Sequence, residues 1–300
     1  MTATRAQPLD RPIVLVGYGD IARRLAERLS DRDIVAIARH APERPAGHKG
    51  RWVGMALDLD TDIRPSVADA PGATWVYLAP PARKGREDTR VARWLSGAAS
   101  TPEAMIYIST TGVYGDHRGG WVDESTPPRP AHDRGWRRLD AEQRFEAQAD
   151  QHHIPLTVLR VAGIYACDRL PVEKIRRGAP VPAGPDAPWS NRIHADDLAD
   201  ILAQLIDRLD MHHPVSGTFN VSDNHPTPVN VIYGEIASHF GLPQPPETSL
   251  ESVLAHASPM AREFLSESRR INARAIQRAL GWQPRYQTLA TTLADCSPQE

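Results

Sequence analysis

Six short runs of apolar, β-favouring residues punctuate the first half of the chain: Ile13 to Val16, Ile34 to Ala38, Trp52 to Leu57, Thr74 to Ala79, Ala104 to Ile108 and Leu156 to Val161. Between them lie stretches whose apolar residues recur at helical spacing, and these predict helices near 20 to 30, 85 to 98 and 133 to 152. In the first, Ile21, Leu25, Ala26 and Leu29 share one face. Alternation of this kind implies right-handed βαβ crossovers and a parallel sheet covered by helices on both faces. After Val161 the texture changes. Pro171, Pro180, Pro182, Pro185 and Pro188 crowd a short span before a helix at Ala195 to Leu209 and a strand at Thr218 to Val221. The chain therefore reads as an α/β protein with a sheet domain over 1–161, to which 192–222 returns. A smaller, discontinuous C-terminal substrate lobe takes 162–191 and 223–300. The 27 prolines cluster in connections, marking long ordered loops, and no internal repeat or low-complexity tract is evident.

The first strand runs directly into Gly17-Tyr18-Gly19-Asp20-Ile21-Ala22, which opens the first helix. Gly17 allows a tight turn, Gly19 removes a side chain where a pyrophosphate would approach the backbone, and Ala22 lets helix and strand pack closely. The helix N-terminus then points free N–H groups at an anion. This strand, turn and helix predict a dinucleotide site in a doubly wound, Rossmann-type sheet, with Gly17, Tyr18, Gly19, Asp20 and Ile21 lining it. About twenty residues on, where an NAD site would place an acid on the ribose 2′-hydroxyl, the sequence reads Ala38-Arg39-His40. An arginine fork pairs with a 2′-phosphate, so Arg39 points to NADP(H), with NAD the alternative; it also fits a solvated arginine at a strand end. Asp58 fits a hydrogen-bond acceptor near the adenine or an ordinary loop aspartate. Ligands in such sheets bind at the carboxyl ends of strands, where Gly17, Arg39, Ala79-Pro80 and Ser109-Thr110 all fall.

Composition narrows the function classes. The 300 residues are 41% hydrophobic, enough for a sizeable core, and carry a net charge of −2 with a pI near 6.6. Basic residues are scattered among acids, which argues against nucleic acid as a partner. No run of about eighteen apolar residues exists and Met1 to Arg11 is too polar for a signal peptide, so a cytoplasmic protein without membrane contact is expected. Cys167 and Cys296 are too few for a disulfide framework and neither sits in a CxxC pair. Despite twelve histidines, no HExxH or Cys/His spacing appears, and no metal is expected.

Five ordered segments carry a resemblance: Ser-Thr-Thr-Gly-Val-Tyr-Gly at 109–115, Leu159 to Tyr165, Asn191 to Leu198, Phe219 to Ser222, and Leu280 to Tyr286. With the glycine turn, they make the chain resemble the extended or atypical short-chain dehydrogenase/reductases, often labelled NAD-dependent epimerase/dehydratases, over nearly its whole length. The resemblance implies a nicotinamide lying across the sheet and a hydroxyl, here Thr110, polarising the substrate oxygen. It also implies a Tyr-x-x-x-Lys pair on the following helix, in which lysine lowers the tyrosine pKa and holds the ribose. Aligning Ala141-Glu142 with the family pattern puts Arg134 at the tyrosine and Arg138 at the lysine. Arginine does not give up a proton at working pH, whereas Arg138 can still hold a ribose or phosphate.

That departure has three readings. Tyr114 or Tyr165 carries the proton, with His194 and His117 behind them; or Arg134 and its neighbours bind an anionic substrate while Thr110 and water do slow chemistry; or the site is non-catalytic and senses NADP(H). A solvated helix face is the plain alternative for Arg134, Arg137 and Arg138. Asp196 and Asp197 read as first-turn acids of a helix, and His194 as a lining residue of the cleft. Nucleotide-sugar relatives carry an arginine four residues before that histidine. Ser190 stands there, with Arg192, a candidate substrate residue alongside Arg134 and His194, two residues off, which counts modestly against a nucleotide-sugar epimerase or dehydratase. Trp121 and Trp189 fit a pocket border or plain packing. The function expected is NAD(P)-dependent hydride transfer at a carbonyl or alcohol carbon of a small molecule, with a homodimer implied by the family through the helices near 85–98 and 133–152.

Overall fold

The computed structural model describes residues 9–97 and 101–297. Residues 1–8 of the segment read as too polar for a signal peptide, residue 98 of the predicted 85–98 helix, and the ends of both expected domains at 1–8 and 298–300 lie outside the described residues. A seven-stranded parallel sheet organises the chain. Its strands β1 (Ile13–Val16), β2 (Ile34–Ala38), β3 (Trp52–Ala56), β4 (Thr74–Tyr77) and β5 (Ala104–Thr110) are followed by Leu156–Val161 and Gly217–Val221. The spatial order is Gly217–Val221, Leu156–Val161, β5, β4, β1, β2, β3. Strand β1 sits between β2 and β4, with Ile13 opposite Ile34 on one side and Thr74 on the other. The winding reverses there, and such a reversal opens a crevice at the strand ends.

The chain divides into two compact units. The first takes the residues up to Ser109 with Arg137–Leu159 and Ala199–Gly217. Helices α1 (Asp20–Arg28) and α2 (Thr89–Ser96) and most of α3 (Asp133–His152) belong to it. Strand residues Val14, Val16, Val35 and Ile37 are fully buried, as two-sided coverage requires. Trp75, Tyr77, Trp94, Tyr107 and Phe145 form an aromatic layer in the same core. Tyr107 stacks on Phe145 at 4.8 Å, and Trp75 meets Trp94 edge-on at 5.4 Å. Burying each such ring stabilises by about 2–3 kcal/mol. Asp88 starts α2 by accepting N–H bonds from Ala82, Arg90 and Val91.

The second unit comprises Thr110–Trp136, Arg160–Leu198 and the chain from Thr218 onward. The sequence reading set its boundary at 161 and returned 192–222 to the sheet domain; by compactness 199–217 group with the first unit and 110–136, 192–198 and 218–222 with the second. Backbone pairing accounts for this. After β5 the chain turns through Thr111–Tyr114, Val113 accepts from Arg129 at 2.9 Å, and the N–H groups of His117 and Gly119 reach the Ser268 carbonyl. Strand Trp121–Val122 then pairs with Arg270–Ile271. An apolar cluster of Tyr165, Val172, Ile175, Ile232, Ile236, Leu289 and Leu293 fills the interior.

Cys167 and Cys296, read from sequence as too few for a disulfide framework, are joined by a disulfide across 129 residues, with Cα atoms 5.4 Å apart. Two cysteines suffice when folding brings a turn and the end of a helix together, a proximity that spacing does not encode. No described helix is long and apolar enough to cross a membrane. Because the bridge closes a long loop, Cys296→Ser is expected to lower the unfolding free energy by about 3–5 kcal/mol. Urea unfolding with and without dithiothreitol checks this, and unfolding insensitive to both reductant and substitution would contradict the bridge.

Candidate functional site

In the first unit the turn after β1 is fixed by space. Gly17 has φ +94, and a Cβ there would come within 2.5 Å of the Ala79 backbone nitrogen. The Gly17 and Tyr18 N–H groups both donate to the Ile37 carbonyl at 2.9 Å, which pins the turn to β2. Gly19 is the N-cap of α1 with no side-chain cap, and a Cβ at Gly19 would meet nothing within 4 Å. An uncapped helix start beside open space offers what an anionic group requires. Ala22, Leu25 and Ala26 bury the inner face of α1. The Asp20 carboxylate is turned along the helix, accepting from Arg23 at 2.8 Å and from Arg24 at 3.1 Å. Ile21 is half-buried, and the half-buried Tyr18 meets Trp52 edge-on at 5.5 Å.

Arg39 stands exposed at the end of β2, with no hydrogen-bond or ionic partner among the described residues. Asp58 is exposed and accepts from the Asp60 N–H at 2.9 Å, which makes it a turn former after β3. Pro80 turns its carbonyl to Arg90 at 3.1 Å. At the end of β5 the buried Ser109 hydroxyl donates to Glu142. Arg138 is buried, and its Nη1 donates to the carbonyls of Ala79 at 3.4 Å and Ile108 at 3.0 Å and to the Tyr107 hydroxyl at 3.2 Å. It thus clamps the ends of two strands, a partner set that sequence alignment did not supply. Arg137 donates to the Gly85 carbonyl rather than standing as a solvated charge.

The second unit places the other expected residues. Thr110 is half-buried, and its hydroxyl oxygen accepts from the Gly112 N–H at 3.2 Å, leaving its own proton free to donate. Arg134 is exposed. Tyr114 is 0% exposed; its hydroxyl donates to Asn220 at 2.8 Å and accepts from Arg160 at 3.1 Å. Burial raises its pKa, opposed by Arg160. Tyr165 is buried, accepts from the Thr292 hydroxyl at 3.1 Å, and burial pushes its pKa up to about 12. Both phenols were expected at strand ends facing the cofactor; both rings are buried and both hydroxyls hydrogen-bonded. His194 is buried, stacks on Tyr286 at 3.8 Å, and uses Nδ1 to accept the Asp196 N–H at 3.2 Å. Asp197, read as a first-turn acid, accepts from the backbone of Arg285 at 2.9 Å and Tyr286 at 3.0 Å. Trp121 and Trp189 both flank the Arg270 guanidinium, each ring 5.1 Å away.

Sequence reading missed Asp223. It is buried, its N–H donates to the Arg192 carbonyl at 2.7 Å, and its Oδ1 accepts from His225 at 2.8 Å. Burial is the main cause pushing its pKa up to about 7, against the pull of Arg192. The only advance signal was the Asn220-Val221-Ser222 segment just before it. Among the described residues no three His, Cys, Asp or Glu side chains converge as metal ligands.

No protein-family model matches the chain, and no curated protein matches it. Solved structures do. A functionally unknown conserved protein from Silicibacter pomeroyi is 29% identical with a TM-score of 0.71, over 95% of this chain and 97% of that one. A candidate NAD-dependent epimerase/dehydratase from Methylobacillus flagellatus is 24% identical with a TM-score of 0.69, over 96% and 97%. MoeE5, solved with UDP-glucuronic acid and NAD, is 21% identical with a TM-score of 0.73, over 95% and 97%. The likeness spans nearly the full length of each chain and establishes the fold.

Asp223 sets a pH signature. Its carboxyl holds a proton to about pH 7 in the folded chain and to about pH 3.9 when unfolded. The folded state therefore binds more protons between those values, and this contribution, whole below about pH 4, is lost as pH rises through about 7. The stability of the unmodified protein relative to Asp223→Asn should fall by up to roughly 4 kcal/mol across that window. Chemical unfolding at pH 4.5, 6 and 8 measures it; a difference independent of pH would refute the raised carboxyl.

Proposed function

We propose that the chain is an NAD(P)-dependent oxidoreductase of the epimerase/dehydratase type, acting on a carbonyl or alcohol carbon of a small molecule. The observation that carries this reading is the turn at Gly17, where backbone packed against Ala79 leaves no room for a Cβ and the uncapped start of α1 follows. Gly17, Gly19 and the first turn of α1 would hold the pyrophosphate through main-chain N–H groups. Arg39 would hold a 2′-phosphate, which favours NADP(H), while the NAD held by MoeE5 keeps NAD as the alternative. When bound, the nicotinamide supplies or accepts a hydride.

The chain's own residues divide the remaining work. Thr110, whose oxygen already accepts from Gly112, donates its proton toward the reacting oxygen. Arg138 acts as a positioning residue, fixing the Ala79 and Ile108 carbonyls that floor the cradle. Tyr114 and Tyr165 take no part in proton transfer, because their hydroxyls are buried and bonded. Water relayed through Thr110 carries the proton, which makes the enzyme slow. A second reading, a non-catalytic NADP(H)-responsive protein, draws on the same commitment of both phenols and on Arg134 standing where the family resemblance sets a tyrosine.

Fluorescence titration with NADPH and NADH tests the reading. NADPH should bind more tightly, and Arg39→Asp should weaken NADPH by about 10- to 100-fold, the loss of one charge-assisted phosphate pair, with NADH little changed. Equal affinities in the unmodified protein would remove the 2′-phosphate assignment, and no binding of either at millimolar levels would remove the dinucleotide reading. We further propose a homodimer formed through α2 and α3; sedimentation equilibrium should give twice the 33.1 kDa chain mass, and a monomer mass at 50 μM would contradict it.

A further inference from the structure

Arg192 is 6% exposed, yet its Nε and Nη1 have no hydrogen-bond partner. Its Nη2 reaches only Thr227 Oγ1, at 3.4 Å. The adjoining loop repeats the pattern: Asp223 Oδ2 and Asn224 Nδ2 are also buried and unpartnered. The backbone brings these residues together, through the bond from the Asp223 N–H to the Arg192 carbonyl and the contact of Arg192 with Thr227. Asn224 is held at φ +57, which asparagine tolerates better than most residues and which recurs at functional sites. Its side-chain oxygen is fixed by the Ala273 N–H at 2.7 Å, so its amide nitrogen is not free to swing away.

Leaving four such atoms unmet in one place is costly, whereas the Tyr114, Arg160 and Asn220 set of the same unit is bonded internally. The unmet atoms define a complement. Three are donors on a guanidinium and an amide; the fourth is a carboxyl oxygen. Arg192 has no carboxylate in ion-pair contact among the described residues, and Asp223 is pushed toward its neutral form by burial. The nearby Asp197 carboxylate is taken by the Arg285 and Tyr286 backbone. A buried cation without a paired anion calls for one from the ligand, and the carboxyl oxygen beside it suits a hydroxyl. The Tyr165 ring, 5.5 Å from the Arg192 guanidinium carbon, backs the charge.

We propose that Arg192, Asp223 and Asn224 form a binding site for a small hydroxy-carboxylate, whose carboxylate meets Arg192 and Asn224 and whose hydroxyl meets Asp223. This deepens the oxidoreductase reading and rests on it for the role of the bound molecule, since a hydroxy acid carries an oxidisable alcohol carbon.

Saturation-transfer NMR with D-glycerate, acetate and glycerol separates the elements of recognition. Glycerate should bind at least tenfold more tightly than acetate or glycerol. Arg192→Gln should abolish glycerate binding, and Asp223→Asn should reduce it to the acetate level. Near-UV circular dichroism and NADPH affinity confirm that each variant is folded, and Arg192→Lys serves in place of the glutamine variant should that one fail to fold. No binding of any probe, which would mean that ordered water alone fills the site, overturns the proposal. So does glycerate binding that survives both substitutions. NADPH binding without glycerate binding sinks this inference alone, and glycerate binding without NADPH binding sinks the oxidoreductase reading alone.

Discussion

The contact on which the first unit depends is the approach of two backbones with no side chain between them. Strands β1 and β4 run parallel with Val16 opposite Tyr77, so the residues that follow each strand meet. At that meeting Gly17 faces Ala79 too closely for any Cβ. The positive φ and the crowding select glycine twice over, once for conformation and once for volume. Arg138 then pins the Ala79 carbonyl, so the crowded pair is held from the sheet side as well as by the turn. The open space at Gly19 has meaning only because this neighbouring contact is closed; a looser turn would scatter the N–H groups that make the helix start useful to an anion.

Buried polarity divides into two kinds. The Ser109 and Glu142 pair and the Tyr114, Arg160 and Asn220 set are internally bonded, and bonded groups of this sort fix side chains in one arrangement. Arg192, Asp223 and Asn224 form the other kind, with bonding capacity left over. Within the second unit the Tyr114, Arg160 and Asn220 set and the Arg192, Asp223 and Asn224 set stand in contrast. A chain that satisfies a buried phenol with two partners over 46 and 106 residues of separation has the means to satisfy a guanidinium.

Much of the scaffold was legible in the residues. Continuous apolar runs marked β1, β2 and Leu156–Val161 with their observed ends, and the long polar-faced stretch marked α3. These features are local, and local pattern is what hydrophobic periodicity records. The glycine turn was legible because its demands are steric and fall on consecutive residues. Tyr114 and Tyr165 were read from their place after a strand, which does not supply the partners, distant in sequence, that each buried hydroxyl meets. Arg138 was read as a ribose holder, since alignment supplies a position but not the three acceptors around it. Asp223 and the Cys167 and Cys296 pair went unread for the same reason: their partners are distant in sequence and adjacent only after folding.

The covalent bridge has one more effect. Every loop between Cys167 and Cys296 lies inside a closed ring of chain, so a protease cut there severs no fragment from the molecule. Scission would add only the mass of a water and release no fragment until a thiol reagent parted the strands, and a protein nicked in service would stay one covalent body.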